Sequence, residues 1–204
     1  MNTGLVKNVP NAWPGNGHRE YRLVIYPDAV VYEKIMAEKQ RFFMNYGLEP
    51  VVNSFPNIMV AGFYAGEGME ETLIRWIHRI CSQLNSFELA LNNYSGFPQH
   101  SIYLRVQNPQ PVQQLAAQLK TLDGHVHTMN GHLFERVPHI ALASELPEPV
   151  YHQAMPVYSR KTFRARFMAS ELVLLGRDHP FATSKTINVF RFLPTNHKSY
   201  SEVA

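Results

Sequence analysis

Two heptapeptides place proton-handling chemistry at matched positions. Phe55-Pro56-Asn57-Ile58-Met59-Val60-Ala61 and Val137-Pro138-His139-Ile140-Ala141-Leu142-Ala143 follow one pattern of apolar, Pro, polar, Ile, variable, aliphatic, Ala. Side chains at i and i+2 of a strand point to the same face. Each segment therefore presents a pair on one side of a sheet: Asn57 with Met59, and His139 with Ala141. An imidazole can give and take a proton near neutrality, whereas an amide only donates and accepts hydrogen bonds. The pair supplies one general acid or base candidate, His139, and one polar binding residue, Asn57.

The elements that must position these residues repeat in the same order. Tyr21 to Pro27 reads as a buried strand, and Asp28 stands at an N-cap position ahead of a helix running to about Tyr46, with Gly47 placed to end it. The strand Phe55 to Phe63 follows. A helix comes next, in which Leu73, Ile77, Ile80, Cys81 and Leu84 form one apolar face. Alternating residues from Phe87 predict a third strand, ending near the Gly96 to Pro98 turn. The order then recurs: strand His100 to Val106, a helix carrying Val112, Leu115, Ala116 and Leu119, and strand Val137 to Ala143. A short helix begins near Pro147 and is interrupted by Pro156; one long strand spans Phe163 to Leu175, and Ile187 to Leu193 adds another. Both heptapeptides lie a helix-length after a strand and just before a helix, as expected of a duplicated β-α-β-α-β unit. Duplicated units packed about a pseudo-twofold axis should turn Asn57 and His139 into one cleft.

The expected organisation is an N-terminal leader over residues 1–20, a single bilobal domain over 21–194 and a tail over 195–204. Lobe one covers about 21–98 and lobe two about 99–194, with the terminal strand free to join either sheet. The 204 residues are 45% hydrophobic and 17% charged, a globular balance, and no apolar run reaches the roughly 20 residues that cross a bilayer. No membrane association is expected. The leader is rich in Asn, Gly and Pro and lacks a signal-peptide core. The single cysteine, Cys81, falls on an apolar helix face and suits a reducing cytoplasm. A net charge of +3 and a pI near 9.0 would accommodate an anionic ligand without indicating nucleic acid. The densest basic region, Arg160, Lys161, Arg164 and Arg166, reads mainly as a solvated strand face.

On the strength of the Pro-His-Ile-x-Leu-Ala segment, the order of elements and the strand pair FELALNNYSGF and HSIYLRV, the chain from about Tyr21 to Pro194 resembles the 2H phosphoesterase superfamily, the LigT-like or 2′-5′ RNA ligase-like proteins. The resemblance implies an α+β fold: two duplicated units around a central groove, with antiparallel-rich sheets and helices on the outside. It also implies chemistry on 2′,3′-cyclic phosphates. There, two motif histidines each handle a proton, and the hydroxyl two residues after each holds phosphate oxygens. Carried onto this chain, the first motif is Asn57 and Met59 and the second is His139 and Ala141, so only His139 survives. With a proton carrier and both hydroxyl donors replaced, the family's cyclic phosphodiesterase or RNA ligase reaction should be severely reduced.

Tyr64, His100 and Tyr103 are weak candidates for a substitute group, and with Asn57 and His139 they complete the expected binding set. His125, His127 and His132 have no acidic or thiol companion, so no metal site is expected and no cofactor is implied. The partner expected is a nucleotide, an RNA end or another small phosphorylated ligand; nothing identifies a protein partner. Two other functions compete with binding alone: an active phosphoesterase or ligase using His139 and a substitute, and a protein-interaction module whose groove is a relic.

Overall fold

The computed structural model describes residues 17–48, 55–98, 100–128, 134–179 and 181–195. The strands are β1 (His18–Ile25), β2 (Ile58–Gly66), β3 (Phe87–Phe97), β4 (Ser101–Val106), β5 (His127–Thr128), β6 (His139–Ala143), β7 (Arg164–Ala169), β8 (Glu171–Arg177) and β9 (Lys185–Arg191). The α-helices are α1 (Ala29–Tyr46), α2 (Glu70–Cys81), α3 (Gln110–Gln118) and α4 (Glu148–Tyr158). They build a curled sheet in the order β7-β3-β4-β6-β2-β1-β8-β9, with β5 paired to β2 off that path. Neighbouring strands run antiparallel.

Local chemistry sets the helix limits. The Asp28 side chain accepts from Val31 N at 2.9 Å, satisfying one of the otherwise orphaned first-turn donors of α1. Gly47 ends the helix at φ 61°, a left-handed conformation that costs glycine little. α2 buries Leu73, Ile77 and Cys81, and burial pushes the Cys81 thiol up to about 12, as suits a packed rather than reactive cysteine. α2 packs against β9 and α3 against β2, while α1 and α4 pack against the β6, β7, β3 and β4 side. Fully buried Tyr21, Leu23, Phe63, Ile77, Leu89 and Leu104 belong to one continuous core under these helices. Among the described residues no helix is long and apolar enough to cross a membrane.

Four expectations need correction. The leader does not extend to residue 20, because β1 begins at His18 and Glu20 is only 1% exposed; residues 1–16 of it lie outside the described residues, as do 196–204 of the tail. The strand drawn from Phe163 to Leu175 is two: β7 pairs with β3 and β8 with β1, on opposite halves of the sheet, with Ser170 between them. Helix α4 continues through Pro156 to Tyr158; a proline so near the C-terminus removes one helical hydrogen bond without breaking the last turn. The sheet also does not divide where the sequence halves do. β3, from the first unit, lies with β4, β6 and β7, while β8 and β9 join β1 and β2.

That exchange closes the molecule on itself. Phe192 N donates to Ser170 O at 2.8 Å and Ser86 N to Leu193 O at 2.7 Å, tying the end of β9 to the start of β3. The two four-stranded halves are thereby curled toward each other about their shared centre, the β2–β6 joint.

Candidate functional site

The joint between β2 and β6 is one antiparallel pair, Ile58 with Ile140, and both side chains are fully buried. Continuing this register by one residue each way aligns Asn57 with Ala141 and Met59 with His139. All four side chains then point to the face opposite Ile58 and Ile140. Asn57 and His139 are diagonal neighbours on that face, about 7 Å apart at Cβ by strand geometry. All four are partly exposed, whereas the flanking Val60 and Leu142 are buried.

His139 is held by its surroundings. Its Nδ1 lies 2.7 Å from the Val137 carbonyl, which can only accept, so Nδ1 carries a proton there and Nε2 is turned away from that bond. The ring packs against Tyr103 at 4.8 Å and Phe97 at 5.3 Å between centroids. Tyr103 pairs with Ala141 in β4 and is 7% exposed, so it shares the groove face with His139. Asn57 turns its amide nitrogen to the Phe55 carbonyl at 2.8 Å. His100 is exposed in the turn between β3 and β4, where its carbonyl accepts from Leu146 N. Tyr64 pairs with Glu20 and is buried; desolvation first, and the nearby Glu20 charge second, raise its phenol above the ordinary range. The structure thus brings Asn57, His139 and Tyr103 to one face, sets Tyr64 beside Glu20 and leaves His100 at a turn.

A cavity of about 470 Å³ opens beside this joint, on the β1 and β8 side. Asn57, Met59 and Ala141 line it, and its wall stops short of His139. An irregularity in the β1–β2 register makes the opposite wall: Leu23 pairs with Ala61 but Val24 with Met59, so one β2 residue bulges out. The bulge turns Met59 to the same face as Arg22 and Val24. Arg22, Val24 and Tyr26 therefore meet Asn57 and Met59 in one cavity, with Arg177 of β8, Thr186 of β9 and Phe181 to Ser184 of the intervening turn. Lys39 of α1 also lines it.

Charge in the cavity is one-sided. Glu20 lies between the two arginines, accepting from Arg22 Nε at 2.6 Å and Arg177 Nε at 2.7 Å, with a further bond from the Arg177 terminal nitrogen. Burial of this carboxylate between two guanidinium groups fixes where both cations sit. Arg22, Arg177 and Lys39 all line the cavity, and among the described residues no carboxylate does. The hydroxyls of Thr183, Ser184 and Thr186 add donors on the far wall. Such a surface suits an oxyanion. Sequence reasoning missed these residues, although two left a signal: Arg22 interrupts the apolar run Tyr21 to Tyr26 of the predicted first strand, and Lys39 occupies an apolar-stripe position of α1.

His125 and His127 are engaged away from the groove. His125 packs on Trp76 at 4.7 Å and His127 lies 5.6 Å from His18 between ring centroids, while His132 lies outside the described residues. Among the described residues no three His, Cys, Asp or Glu side chains form a cluster able to hold a metal.

A curled α+β sheet with two related strands meeting at the centre of its groove is the fold of the LigT-like, or 2H, phosphoesterases. The chain belongs to the 2′-5′ RNA ligase superfamily, whose model matches residues 49–180. Among solved structures it is similar to E. coli LigT complexed with 3′-AMP, at a TM-score of 0.67 and 16% identity over 86% of this chain and 98% of that one. It is also similar to the protein TT0787 of Thermus thermophilus, at 0.62 and 14% identity over 86% and 99% of the two chains. LigT complexed with ATP gives a TM-score of 0.58 at 15% identity, covering 87% of this chain and 99% of that one. No curated protein matches the chain in sequence.

Proposed function

We propose that this chain binds a nucleotide, an RNA end or another small phosphorylated ligand in the groove at the β2–β6 joint, and that the two-histidine reaction of its superfamily is severely reduced. The observation that carries this reading is the cavity wall: Arg22, Arg177, Lys39 and Asn57 converge there with no carboxylate among the described lining residues. Binding needs only such fixed cations and donors. Catalysis of the family's kind needs a second proton carrier, and Asn57 is none. E. coli LigT, of similar fold, is found complexed with 3′-AMP, phosphate and ATP, which supports a phosphorylated ligand for this chain. A buried, unreactive Cys81 suits a reducing cytoplasm as the place of action.

The test is calorimetric titration with 3′-AMP and 2′,3′-cyclic AMP, run beside a turnover assay for the cyclic compound. Binding that Asn57→Asp weakens at least about tenfold, by placing a carboxylate beside the phosphate, supports the reading. No affinity for either ligand removes it. Turnover by the wild-type protein that vanishes in His139→Ala replaces it with an active phosphoesterase.

A further inference from the structure

Arg164 and Arg166 of β7 lie outside the site built around the β2–β6 joint. They belong to the stretch from Arg160 to Arg166, the densest basic region of the sequence, and the structure divides that stretch. Lys161 turns toward α1, where it lies 3.8 Å from Glu38 and over the Tyr158 ring. Arg164 and Arg166 instead stand exposed and line a separate cavity of about 420 Å³ with Ala90, Asn92 and Gln107.

Strand register puts this cavity on the groove face. Arg105 of β4 pairs with His139 of β6, and Gln107, two residues on, shares its side of the sheet. Gln107 N donates to Ala90 O at 2.8 Å, while β7 sets Arg166 opposite Ala90 and Arg164 opposite Asn92. Directly paired residues point the same way, so one surface runs from His139 over Arg105 to Arg164 and Arg166. Buried Leu89, Leu91, Val106 and Phe167 take the other face.

We propose that this second cavity is a subsite for the sugar-phosphate backbone of an RNA strand whose terminal phosphate occupies the cavity of Arg22 and Asn57. The inference rests on the phosphate-binding reading above and extends its ligand from a single nucleotide to a strand. Arg164 and Arg166 present guanidinium groups, whose planar fork matches phosphate oxygens. The 3.3 Å pair of Arg166 with Glu88 is exposed on both sides, and an exposed pair of this kind yields readily to a phosphate. Arg105, on the way between the cavities, donates from Nε to the Asn92 carbonyl at 3.2 Å. Asn92 itself supplies the second feature: its Oδ1 is buried without a hydrogen-bond partner. A buried acceptor without a donor is costly, and phosphate oxygens only accept. The ribose 2′-hydroxyl is the donor that a nucleic-acid backbone brings, and it marks RNA from DNA.

Spacing sets the length of strand. β1, central to the first cavity, and β3, central to the second, lie four strand spacings apart in the sheet order. At about 4.8 Å per spacing this is roughly 19 Å along the curled sheet, and a stacked strand advances about 3.4 Å per nucleotide. About five nucleotides therefore bridge the two cavities.

The experiment is calorimetric titration of 3′-AMP and of 3′-phosphorylated oligoadenylates, from two to about eight nucleotides, into wild-type protein and the double variant Arg164→Gln, Arg166→Gln. Both arginines are exposed, so the variant should unfold at the wild-type temperature. Wild-type affinity is expected to rise about tenfold or more from the single nucleotide to about five and then to level off. The variant should bind 3′-AMP as the wild type does, lose the gain with length, and show a salt dependence shallower by about one in logarithmic slope for the longest strand. Deoxyadenylates of equal length should bind several-fold more weakly to the wild type, a gap that Asn92→Leu closes. Binding of 3′-AMP with no gain from length, or a gain that the double variant keeps, would leave the first cavity standing and overturn the second subsite. Equal binding of RNA and DNA would overturn its assignment to RNA. Failure to bind any member of the series would overturn both readings.

Discussion

At the scale of single residues, the proposed binding function turns on what stands at the two motif positions. The positions at which the resemblance expects two proton carriers and two hydroxyls hold Asn57, Met59, His139 and Ala141, and only His139 can move a proton. Beside them, Arg22, Arg177 and Lys39 line the cavity wall. If the scaffold still holds its motif geometry, the double change Asn57→His and Met59→Thr should raise turnover of 2′,3′-cyclic nucleotides by about 100-fold or more over the wild type, read in a discontinuous product assay. Unchanged turnover in a folded variant would mean that residue 57 does not face His139 as the register implies. The motif positions were legible in sequence because strand periodicity and the internal repeat fix which residues share a face. The cationic wall was not, because periodicity identifies Lys39 as facing inward without revealing that a cavity opens where its side chain ends.

At the scale of elements, caps and bulges decide where those side chains arrive. Removing the cap of α1 by Asp28→Ala should cost about 1 kcal/mol in denaturant-induced unfolding, through the lost bond to Val31 N. A second prediction concerns pH. The folded-state value of Lys39 is depressed, so between about 8 and its unfolded value of 10.5 the unfolded chain binds more protons and stability rises with pH. Measured as wild type minus Lys39→Met, the ligand-free protein should gain about 1 to 2 kcal/mol between pH 8 and 9.5; a flat difference would contradict the burial of that ammonium. Most elements followed from pattern, including α1 with both its caps. The break at Ser170 did not, because no Gly or Pro interrupts the run from Phe163 to Leu175 and only long-range pairing separates β7 from β8. The β1–β2 bulge was equally silent in sequence, since it changes which residues meet without changing which are apolar.

For the whole molecule, the exchange of strands between units is what makes one groove out of two repeats. β3 leaves its own unit for the other half and β8 returns to pair with β1, so Arg177 reaches Glu20 and Arg22 across a sequence separation that no local pattern could span. Glu20 fastens this crossing. Glu20→Ala should destabilise the fold by about 2 kcal/mol in chemical unfolding, less than the loss of a fully buried pair because Arg22 stays partly solvated, and should weaken binding by releasing both arginines. A loss near zero would mean that β1 and β8 are held by their ladder alone. The duplication was readable from the two heptapeptides, but not the way the halves interlock, because that depends on pairing partners and not on residue type.

The measurement that bears most directly on the whole account is a residue-resolved NMR titration of the protein with 3′-AMP. Shifts concentrated at Arg22, Lys39, Asn57, Met59, Ala141 and Arg177 are the predicted result. Shifts concentrated instead at the separate cavity of Trp76, Arg79 and His125, or none at millimolar ligand, would contradict it.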